Sequence, residues 1–505
     1  MTIPPGQAEA AALLRRLTGA EPVETHISAV FVGRDDAFKL KKAVDLGFVD
    51  FTTPAARERF ARRELELNRP LAPGIYREVL PVTRGADGAP RLGGAGPVLD
   101  WVLRMAPVPA GDFLDAVAAR GGLGGAMLDA VAEAVLALHD AAPVVSGVDA
   151  PGRMAAVLEG NRRSCLAAGL DPAAVGALAD GLRDALGRLA PAMAARAAAG
   201  RVRRCHGDLH LGNLCLWEGR PTPFDALEFD EALATVDVGY DLAFLLMDLD
   251  VRLDRAAANR VMNRVLARGF DIGLLAPLPA WLALRAMVRA HVAARRSGAA
   301  PGGEGARYLA AAARYLVAVP PRLVAVGGLQ GTGKTHLARR LAPLIGVAPG
   351  ALHLRTDEIR KRRAGIAPER PLPPAAYAEA ESIAVHAEMF DAARRALAAG
   401  HSVVLDAVFL NPAHRATAAG VAAACGVRFD GFWLEAPVEL LRARVAARRE
   451  AGLRAPAARD ASDADEAVLM NAARADAGEI TWRRLDATRD AFDAACKAMA
   501  LSGAA

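Results

Sequence analysis

The stretch HGDLHLGN, residues 206–213, has the most informative pattern in the first part of the chain. It places Asp208 five residues before Asn213, and Asp225 follows Asn213 by twelve residues, across a turn at WEGRPTP. Phosphoryl transfer needs positioning, a metal ion and a group that orients the attacking hydroxyl. Three oxygen-bearing side chains at these spacings form one coherent set of candidates for such a site.

HGDLHLGN resembles the catalytic loop of aminoglycoside phosphotransferases and related small-molecule kinases, and the resemblance extends over about residues 22–316. It implies Asp208 as the catalytic base, with Asn213 and Asp225 as magnesium ligands. VDVGYDLAFLL looks like the segment that follows in this family, where Asp241 would brace the catalytic loop. The resemblance also implies a two-lobed, protein-kinase-like fold. The chain lacks an APE-type segment, which argues against a protein as the substrate.

Two alternatives assign no turnover to this stretch. In the first, it is a polar loop that caps a helix, with Asp208 as the cap and His206 in an internal hydrogen bond. In the second, the fold is kinase-like but inactive, because a fold does not by itself guarantee an activity. The three correctly spaced side chains favour the catalytic interpretation over both alternatives.

A β-hairpin near the N-terminus is expected to carry the nucleotide lysine that the kinase resemblance implies. HISAVFVGRDDAFKLKKAV has two alternating runs around GRDD, and Lys39 and Lys41 share one face of the second strand. The pattern DAFK favours Lys39, and Lys41 remains possible. Glu64 lies on the apolar face of the helix predicted at 54–68 and is the expected partner of the lysine. Glu58, on the same helix, is its competitor.

A second phosphate signature lies more than a hundred residues downstream. GLQGTGKT, residues 328–335, fits the pattern GxxxxGK[ST], follows the strand-like RLVAVG and precedes the helical HLARRLAPLI. Such a loop turns backbone N–H groups toward phosphates, while Lys334 reaches the β- and γ-oxygens and Thr335 binds magnesium. The nucleotide-binding residues predicted for this loop are Gly328, Gly331, Thr332, Gly333, Lys334 and Thr335.

Two acidic residues follow later strands of the same region. HSVVLDAVF ends a strand in Asp406, a candidate ligand for the metal and its water shell. LHLRTDEIRKR ends another strand near Asp357, with Arg360 one turn into the next helix. This layout resembles small P-loop kinases of the gluconate-kinase and polynucleotide-kinase kind. The resemblance implies Asp357 as the group that activates the acceptor hydroxyl and Arg360 as a residue that holds an acceptor anion. The alternative for Asp357 is a simple helix cap.

Arginines of LLRARVAARRE are candidates for a lid. Arg444 and Arg448 are four residues apart and share a helical face. In P-loop kinases, such arginines stabilise charge on the transferred phosphoryl group; the alternative is a solvated basic face. Adenine is expected to meet the backbone near 102–105 in the first domain and the segment RRLDAT near 483–488 in the second.

The chain divides at Pro320 and Pro321, which separate a helical segment from a new strand. The predicted fold is an α+β two-lobed protein-kinase-like domain followed by an α/β P-loop NTPase domain with a parallel sheet, because strands and helices alternate in the second part. The predicted strands of that sheet are at 322–327, 351–355, 402–406 and 428–434. The predicted domains are 1–318, with a small lobe to about 105 and a helical lobe at 106–318, and 319–505.

Composition excludes several classes of protein. A formal net charge of +5 on 505 residues is too small to indicate a nucleic-acid ligand. The five cysteines have no CxxC spacing, which argues against a zinc site and a disulfide framework. The N-terminus lacks the order of a signal peptide, and no apolar run approaches the roughly 18 residues of a membrane helix. We therefore expect a cytoplasmic protein without membrane contact; the sequence leaves its oligomeric state open.

The combined prediction is an ATP- and Mg2+-dependent phosphotransferase with two nucleotide sites, each transferring the γ-phosphoryl group to a hydroxyl of a small-molecule acceptor. The alternatives are one catalytic domain regulated by a nucleotide-sensing partner domain, a P-loop half that acts on nucleic-acid ends, and a toxin-like kinase of a nucleotide sugar. Nucleic-acid ends would need stacking aromatics, and aromatics make up only 5 % of the chain. A cationic acceptor such as an aminoglycoside would need acidic groups in the cleft, and the candidates are Glu228, Asp230 and Glu231.

Overall fold

The computed structural model describes residues 2–47, 49–454 and 460–501. Their contacts group the chain into two compact units. The first unit comprises Met1–Val148 and Ala197–Leu245, and the second comprises Asp149–Arg196 and Leu246–Ala505. The second unit thus joins part of the predicted helical lobe to the predicted P-loop domain.

The helices and strands of the described residues are numbered in chain order. The helices are α1 (Ala8–Thr18), α2 (Pro54–Asn68), α3 (Leu114–Ala119), α4 (Gly125–Ala141), α5 (Ala150–Ala167), α6 (Pro172–Ala198), α7 (Glu231–Ala234), α8 (Val238–Arg252), α9 (Arg255–Gly269), α10 (Leu278–Ser297), α11 (Glu304–Tyr315), α12 (Lys334–Leu341), α13 (Thr356–Arg363), α14 (Glu379–Ala398), α15 (Pro412–Ala424), α16 (Val438–Arg454), α17 (Glu466–Arg474) and α18 (Phe492–Ala498). The strands are β1 (Val23–Glu24), β2 (Ser28–Val32), β3 (Ala37–Lys41), β4 (Tyr76–Arg84), β5 (Pro90–Leu92), β6 (Val98–Met105), β7 (Val202–Arg204), β8 (Leu214–Trp217), β9 (Arg220–Pro223), β10 (Thr235–Asp237), β11 (Arg322–Gly328), β12 (Leu352–Arg355), β13 (Val403–Asp406), β14 (Arg428–Glu435) and β15 (Arg483–Asp486).

The first unit contains an antiparallel six-stranded sheet in the order β1-β2-β3-β6-β4-β5. The predicted hairpin is confirmed, because β2 pairs with β3 in a register that sets Ser28 opposite Lys41. Phe38 and Leu40 of β3 pack into a buried apolar cluster with α1. Since side chains alternate along a strand, Lys39 and Lys41 point to the opposite face of the sheet.

Helix α2 and the catalytic-loop region lie on that opposite face. Helix α2 begins at Pro54, where the Thr53 side chain accepts a hydrogen bond from Ala56 N, as in a regular N-cap. The predicted helix at 54–68 is confirmed. The stretch 206–213 runs from the short β7, which pairs with β10, into the β8–β9 hairpin. That hairpin is the turn that the sequence predicts between Asn213 and Asp225.

The second unit contains a parallel five-stranded sheet in the order β12-β13-β11-β14-β15. The ladder of β11 with β13 sets Val326 opposite Asp406, and that of β12 with β13 sets Arg355 opposite Asp406. Because all strands are parallel, their carboxyl ends lie along one edge of the sheet, where phosphate sites of open α/β sheets lie. The predicted two-part fold class is confirmed.

The four predicted strands of this sheet are found within one residue of their expected ends, and a fifth strand, β15, was not predicted. Strand β15 has three charged residues in RRLD, so its sequence lacks the apolar run of a buried parallel strand. It pairs with β14 at the edge of the sheet, where one side needs no strand partner. Within the described residues, no helix has the length and apolar character needed to cross a membrane.

Candidate active sites

The first site is built on two lysines and three carboxylates. Lys39 Nζ lies 2.7 Å from Glu64 Oε1 and 2.6 Å from Asp225 Oδ1. Lys41 Nζ lies 2.7 Å from Glu64 Oε2 and also binds Glu228. Strand β3 supplies both lysines because side chains two residues apart share a face. The result is five charges that alternate in sign, which we call the ion-pair chain.

Burial and pairing act in opposite directions on these groups. Burial by itself would raise the pKa of Glu64, but Lys39 and Lys41 lower it to about 2. Burial would lower the pKa of Lys39, yet its carboxylate neighbours, led by Asp225, raise that pKa well above its usual value. Burial raises the pKa of Glu228 despite the nearby Lys41. Glu64 is therefore an ionised, buried counterion that both lysines share.

Glu64, and not Glu58, is the carboxylate that meets the lysines. Glu58 instead forms a 2.9 Å ion pair with an arginine one turn further along the same helix. Both lysines contact Glu64, so this contact does not distinguish Lys39 from Lys41. The 2.6 Å contact with Asp225 does favour Lys39 as the lysine nearest the predicted metal ligands.

Replacing Glu64 by glutamine is expected to lower the free energy of unfolding by about 3 kcal/mol, because removal of one partner leaves buried charge uncompensated. The matched control is Glu58→Gln on the same helix, whose exposed pair is expected to contribute no more than about 0.5 kcal/mol. Denaturant unfolding of both variants measures the difference. Equal losses in the two variants would contradict the shared-counterion interpretation.

The predicted catalytic loop brings Asp208 and Asn213 together. Asn213 Nδ2 donates to the backbone oxygen of Asp208 at 2.9 Å and to its Oδ2 at 3.0 Å. The Asp208 side chain is 39 % exposed, with His210 Nε2 at 3.6 Å from its Oδ2. The carboxylate of Asp208 is thus held by its neighbour and open to solvent. Because the Asn213 amide nitrogen is turned to Asp208, the amide oxygen is the atom able to ligate a metal ion.

Asp241 braces this loop as the resemblance implied. Its Oδ1 accepts a hydrogen bond from Gly207 N at 2.8 Å, and its Oδ2 lies 3.0 Å from His139 Nε2. Gly207 has a φ of 85°, and a Cβ there would lie 3.1 Å from Leu227 Cβ, so the tight turn favours glycine. Burial lowers the pKa of His206, whose Nε2 lies 2.9 Å from the backbone oxygen that precedes Asp225.

Asp225 has a backbone conformation that surrounding residues enforce. Its φ is 61°, in the left-handed region that non-glycine residues seldom adopt. Its N–H donates to Tyr76 Oη at 2.9 Å, and the next residue, Ala226, donates its N–H to Asn68 Oδ1 at 2.7 Å. Tyr76 and Asn68 were not predicted as site residues, since neither has a local motif. They hold the carboxylate of Asp225 beside Lys39.

The three acidic candidates for a cationic acceptor are all engaged by the chain itself. Glu228 is buried in the ion-pair chain. Asp230 caps α7 by accepting two backbone N–H groups, at 2.8 and 3.1 Å. Glu231 pairs with Arg63 at 2.8 Å and with Arg204 at 3.0 Å. These contacts give no support to recognition of an aminoglycoside by the three residues.

The second site begins with the loop between β11 and α12. Gly328, Gly331 and Gly333 have φ values of 135°, 85° and 87°, which only glycine adopts readily. A Cβ at Gly328 would lie 2.5 Å from Leu434 O, so the loop also needs the missing side chain. Thr332 Oγ1 donates to Leu329 O at 2.7 Å and closes the turn.

Lys334 and Thr335 stand at the first turn of α12, at the position that the motif predicts. Lys334 Nζ donates to Leu329 O at 2.9 Å, so the ammonium group lies across its own loop. Burial lowers its pKa, although Asp406 and Asp357 act against that shift. A phosphate bound in the loop would give this lysine a strong counterion at the start of a helix.

Asp406 is the centre of the second site. Its Oδ2 accepts from Thr335 Oγ1 at 2.6 Å and lies 3.3 Å from both His353 Nε2 and Arg355 Nε. Burial would raise the pKa of Asp406, but His353 and Arg355 outweigh it and lower the pKa well below the usual range. Asp406 is therefore an ionised carboxylate beside the threonine that the motif assigns to magnesium.

Asp357 lies in the first turn of α13, two residues after Arg355, which holds the N-cap position. A simple cap by Asp357 is therefore not what the structure has. Burial raises the pKa of Asp357, and the negative charges of Asp406 and Asp460 add to this effect against Arg355. A raised pKa brings a carboxylate closer to the range of a general base.

Arg360 is engaged within its own unit. Its Nη1 donates to Ala376 O at 2.7 Å, its Nη2 donates to Ser382 Oγ at 3.3 Å, and its guanidinium lies 5.0 Å from the Tyr377 ring centre. Only 9 % of the residue is exposed. Its predicted role, the holding of an acceptor anion, would need part of this arrangement to open.

Arg444 and Arg448 are four residues apart on α16 and share a helical face, as their spacing predicts. Arg444 Nη1 donates to Ala487 O at 2.8 Å and to Gly331 O at 3.4 Å. Arg448 Nη2 donates to Ala464 O at 2.9 Å. Arg444 therefore contacts the phosphate loop, and Arg448 is held by the segment that precedes α17, so a purely solvated basic face is not what the structure has.

Two residues of β12 were missed by the sequence analysis. Arg355 is 3 % exposed and its Nη2 lies 3.2 Å from Asp460, in addition to its contact with Asp406. His353 contributes the third donor to Asp406. The available signal was the alternation in LHLR, which puts His353 and Arg355 on one face of a strand whose carboxyl end faces the loop.

Comparison with known proteins gives matches for both parts of the chain. The model of the Phosphotransferase enzyme family matches residues 105–285, and the model of an AAA domain matches residues 323–476. Uncharacterized protein Rv2004c of Mycobacterium tuberculosis (strain H37Rv) is 31 % identical over 444 residues, which cover 84 % of this chain and 85 % of that protein. Uncharacterized protein Mb2027c of Mycobacterium bovis matches to the same extent.

Solved structures resemble each part at low scores. The APS kinase CysC of Mycobacterium tuberculosis, in complex with AMPPNP and APS, is 21 % identical and covers 36 % of this chain and 98 % of its own, with a TM-score of 0.25. Choline kinase of Cryptosporidium parvum is 11 % identical and covers 61 % of this chain and 93 % of its own, with a TM-score of 0.38. These likenesses assign no substrate. The two family matches, and not these likenesses, show that the protein is a phosphotransferase of the kinase class. The chain belongs to the family of these mycobacterial proteins, as a fusion of an aminoglycoside-phosphotransferase-like domain with a P-loop kinase domain.

Proposed function

We propose that the chain holds two ATP sites and uses each to phosphorylate a hydroxyl of a small molecule. The observation that supports the proposal is the presence, in one chain, of two separate sets of side chains whose chemistry fits phosphoryl transfer. One is the ion-pair chain with Asp208 and Asn213, and the other is the loop at 328–335 with Asp406. Each set combines a lysine for phosphates with oxygen ligands for a metal ion.

In the first site, Lys39 is the phosphate-binding residue and Glu64 its counterion. Asp208 accepts the proton of the acceptor hydroxyl, since its carboxylate is exposed and oriented by the Asn213 amide. Asn213 and Asp225 would hold magnesium, whose preference for hard oxygen ligands fits a carboxylate and an amide oxygen. The ion, when bound, neutralises charge on the phosphates.

Nucleotide binding in the first site requires a rearrangement of the ion-pair chain. Lys39 Nζ lies 2.6 Å from Asp225 Oδ1, so the two side chains neutralise each other's charge. Phosphates would replace Asp225 as the partner of Lys39, and the carboxylate of Asp225 would then be available to hold magnesium. Glu64 keeps its second lysine, Lys41, during this exchange, because that pair lies at 2.7 Å on the other carboxylate oxygen.

In the second site, backbone N–H groups of Gly331 and Gly333 with Lys334 bind the phosphates. Thr335 and Asp406 would hold magnesium and its water shell, since both offer oxygen atoms and already contact each other at 2.6 Å. Asp357 is the group that accepts the acceptor proton. The remaining assigned residues are Gly328 and Thr332, which shape the loop, Arg360, which holds an acceptor anion, and Arg444 and Arg448, which stabilise charge on the transferred group.

A cavity beside the second site suits the adenine ring. It has a volume of about 360 Å³ and is lined by residues of two segments around the ends of β14 and β15: Glu435, Ala436, Pro437, Arg484, Leu485, Asp486 and Thr488. The segment RRLDAT, expected near adenine, contributes more than half of this lining. Arg444 Nη1 donates to Ala487 O, between two lining residues of the cavity, at 2.8 Å and to Gly331 O of the phosphate loop at 3.4 Å. Arg444 thus links the cavity to the loop. We assign the cavity to the nucleoside end of ATP.

The first test is magnesium-dependent ATP consumption with a panel of sugars, aminoglycosides, nucleosides and oligonucleotides. We expect an acceptor-dependent activity that Asp208→Asn removes and a different one that Lys334→Ala removes. If only one variant matters for every acceptor, the other domain is a nucleotide sensor and the regulatory alternative replaces the proposal. Stimulation by oligonucleotides that falls steeply with salt would instead favour nucleic-acid ends.

A further inference from the structure

Helix α9 provides a support for the second site that the family match does not assign. We propose that Asn259 and Asn263 of α9 position the carboxylate of Asp406 by fixing the strand that carries His353. The inference rests on the proposed function, which gives Asp406 to the nucleotide site. It makes residues from the part of the chain that matches the Phosphotransferase enzyme family contribute to the P-loop site.

Strand β12 is an edge strand that needs a partner on its outer side. It is the last strand of the sheet, and only β13 pairs with it among the described residues. Leu352 N donates to Ser402 O at 2.9 Å, on the β13 side. The neighbouring groups, Ala351 O and His353 N, therefore point to the outer side. An uncovered edge of this kind presents unpaired backbone donors and acceptors.

Two asparagines of α9 fill that place. Asn263 Oδ1 accepts from His353 N at 2.7 Å, and Asn263 Nδ2 donates to Ala351 O at 3.1 Å. Asn259 Nδ2 donates to the same Ala351 O, also at 3.1 Å. The two asparagines are four residues apart and share a helical face. Because an amide offers both a donor and an acceptor, the pair supplies what a neighbouring strand would have supplied.

The contact has a fixed geometry. Asn263 Nδ2 also donates to Asn259 Oδ1 at 2.9 Å, which orients the two amides relative to each other. Asn259 is 4 % exposed. Gly350, just before β12, has a φ of 120°, and a Cβ there would lie 2.9 Å from Asn259 Nδ2 and 2.5 Å from Ala342 O. The positive φ and the close approach of both Ala342 O and Asn259 therefore favour a glycine at position 350.

Further contacts attach the same region of the chain to the P-loop sheet. They are Arg255 with Gly346 O at 2.6 Å, Arg264 with Glu369 at 2.7 Å, Arg362 over the Phe270 ring at 3.6 Å, and His401 Nε2 with Leu275 O at 2.9 Å. Residues 255–275 are thus joined to four separate places of the P-loop part. Unlike these contacts, the asparagine pair lies on β12, the strand whose His353 and Arg355 side chains contact Asp406.

The link from the asparagines to the site passes through His353. Its backbone N–H is held by Asn263, and its ring Nε2 lies 3.3 Å from Asp406 Oδ2. The same oxygen accepts from Thr335 Oγ1 at 2.6 Å, and Arg355 Nε lies 3.3 Å from it. Partners that orient a metal ligand typically change metal affinity about 10- to 100-fold when they are removed. His353 and Asn263 are therefore positioning residues, and neither is proposed to touch the nucleotide.

The test measures binding of AMPPNP to the full chain, with and without magnesium. Binding at the second site is defined as the part of the total binding that Lys334→Ala removes. We expect Asn263→Ala to weaken the magnesium-dependent affinity of that part by about 10- to 100-fold and to leave the magnesium-free affinity unchanged. His353→Ala is expected to have the same effect. His353→Gln is expected to recover most of the affinity, because the glutamine amide can still donate to Asp406.

The matched control is Asn161→Ala, which removes another buried asparagine whose amide donates to a backbone oxygen, Leu284 O, at 3.1 Å. It is expected to leave AMPPNP affinity within about twofold of wild type, as is usual for a site without a shared partner. Asn263→Asp keeps the acceptor for His353 N and serves if Asn263→Ala does not fold; an intermediate loss is expected.

Three outcomes overturn the inference. Normal magnesium-dependent binding by Asn263→Ala, with loss in Lys334→Ala, removes the role of α9 and leaves the proposed function intact. An equal loss in Asn161→Ala means that the effect is general destabilisation. No loss of any binding in Lys334→Ala means that the proposed P-loop site itself is wrong, and the inference falls with it.

Discussion

Replacement of Lys334 by alanine is expected to lower the affinity of the second site for AMPPNP by about a hundredfold. A hydrogen bond to a charged group contributes roughly 1.5–3 kcal/mol, and about 1.4 kcal/mol corresponds to a tenfold change in affinity. Lys334 Nζ donates to Leu329 O of its own loop at 2.9 Å, so the ammonium group is already at the place where a phosphate would bind. Calorimetric titration with magnesium present measures the loss.

The matched control is Arg340→Ala, which removes a cation from the same helix. Arg340 pairs with Asp490 and lies 3.8 Å from the Phe492 ring centre, away from the loop. It is expected to leave the affinity within about twofold, because an exposed pair contributes little. If both variants lost affinity equally, net positive charge on α12, and not the lysine of the loop, would be what the nucleotide needs.

Asp208→Asn is expected to lower kcat for the acceptor of the first site by about 10²- to 10⁴-fold, the usual contribution of a general base. Nucleotide affinity should stay within about twofold, because Asp208 is assigned to the acceptor hydroxyl and not to the phosphates. The asparagine can still accept from Asn213 Nδ2, so the loop is expected to keep its shape. Steady-state kinetics with the acceptor found by the panel provides the measurement.

Asp230→Asn is the matched control for this change, since it makes the same substitution in the same unit. Asp230 caps α7, and asparagine is an equally good cap. Its kcat is expected to equal that of the wild type. Unchanged turnover in Asp208→Asn would remove the base assignment, whereas a loss in both variants would point to the overall charge of the cleft.

The sequence could predict those parts of the two sites that lie in continuous motifs. The loop at 328–335 requires glycines, a lysine and a threonine in fixed order, and each has the expected backbone geometry. Asn213 meets Asp208 because both lie in one short loop. The four predicted strands have apolar runs or, in LHLR, an apolar–polar alternation, so their hydrophobic patterns were sufficient to predict them.

The missing parts depend on contacts between residues far apart in the sequence. Glu228 contacts Lys41 at a sequence separation of 187 residues, and Tyr76 contacts Asp225 at a separation of 149 residues. No sequence motif predicts either contact. Asn263 looks like an ordinary polar residue of an amphipathic helix until β12 is seen to be an edge strand. Strand β15 was not predicted because its charged sequence lacks the pattern of a buried strand. Local periodicity carries no information on such pairings, since tertiary packing decides them.

Whether the chain has two nucleotide sites is tested most directly by the number of AMPPNP molecules that one chain binds with magnesium present. We expect two per chain for the wild type, one for Lys334→Ala, one for Lys39→Met, and none for the double variant at the same ligand concentration. Two nucleotide sites would be contradicted if the wild-type chain bound one molecule. In that case one of the variants Lys334→Ala and Lys39→Met would abolish binding, and the other would bind normally.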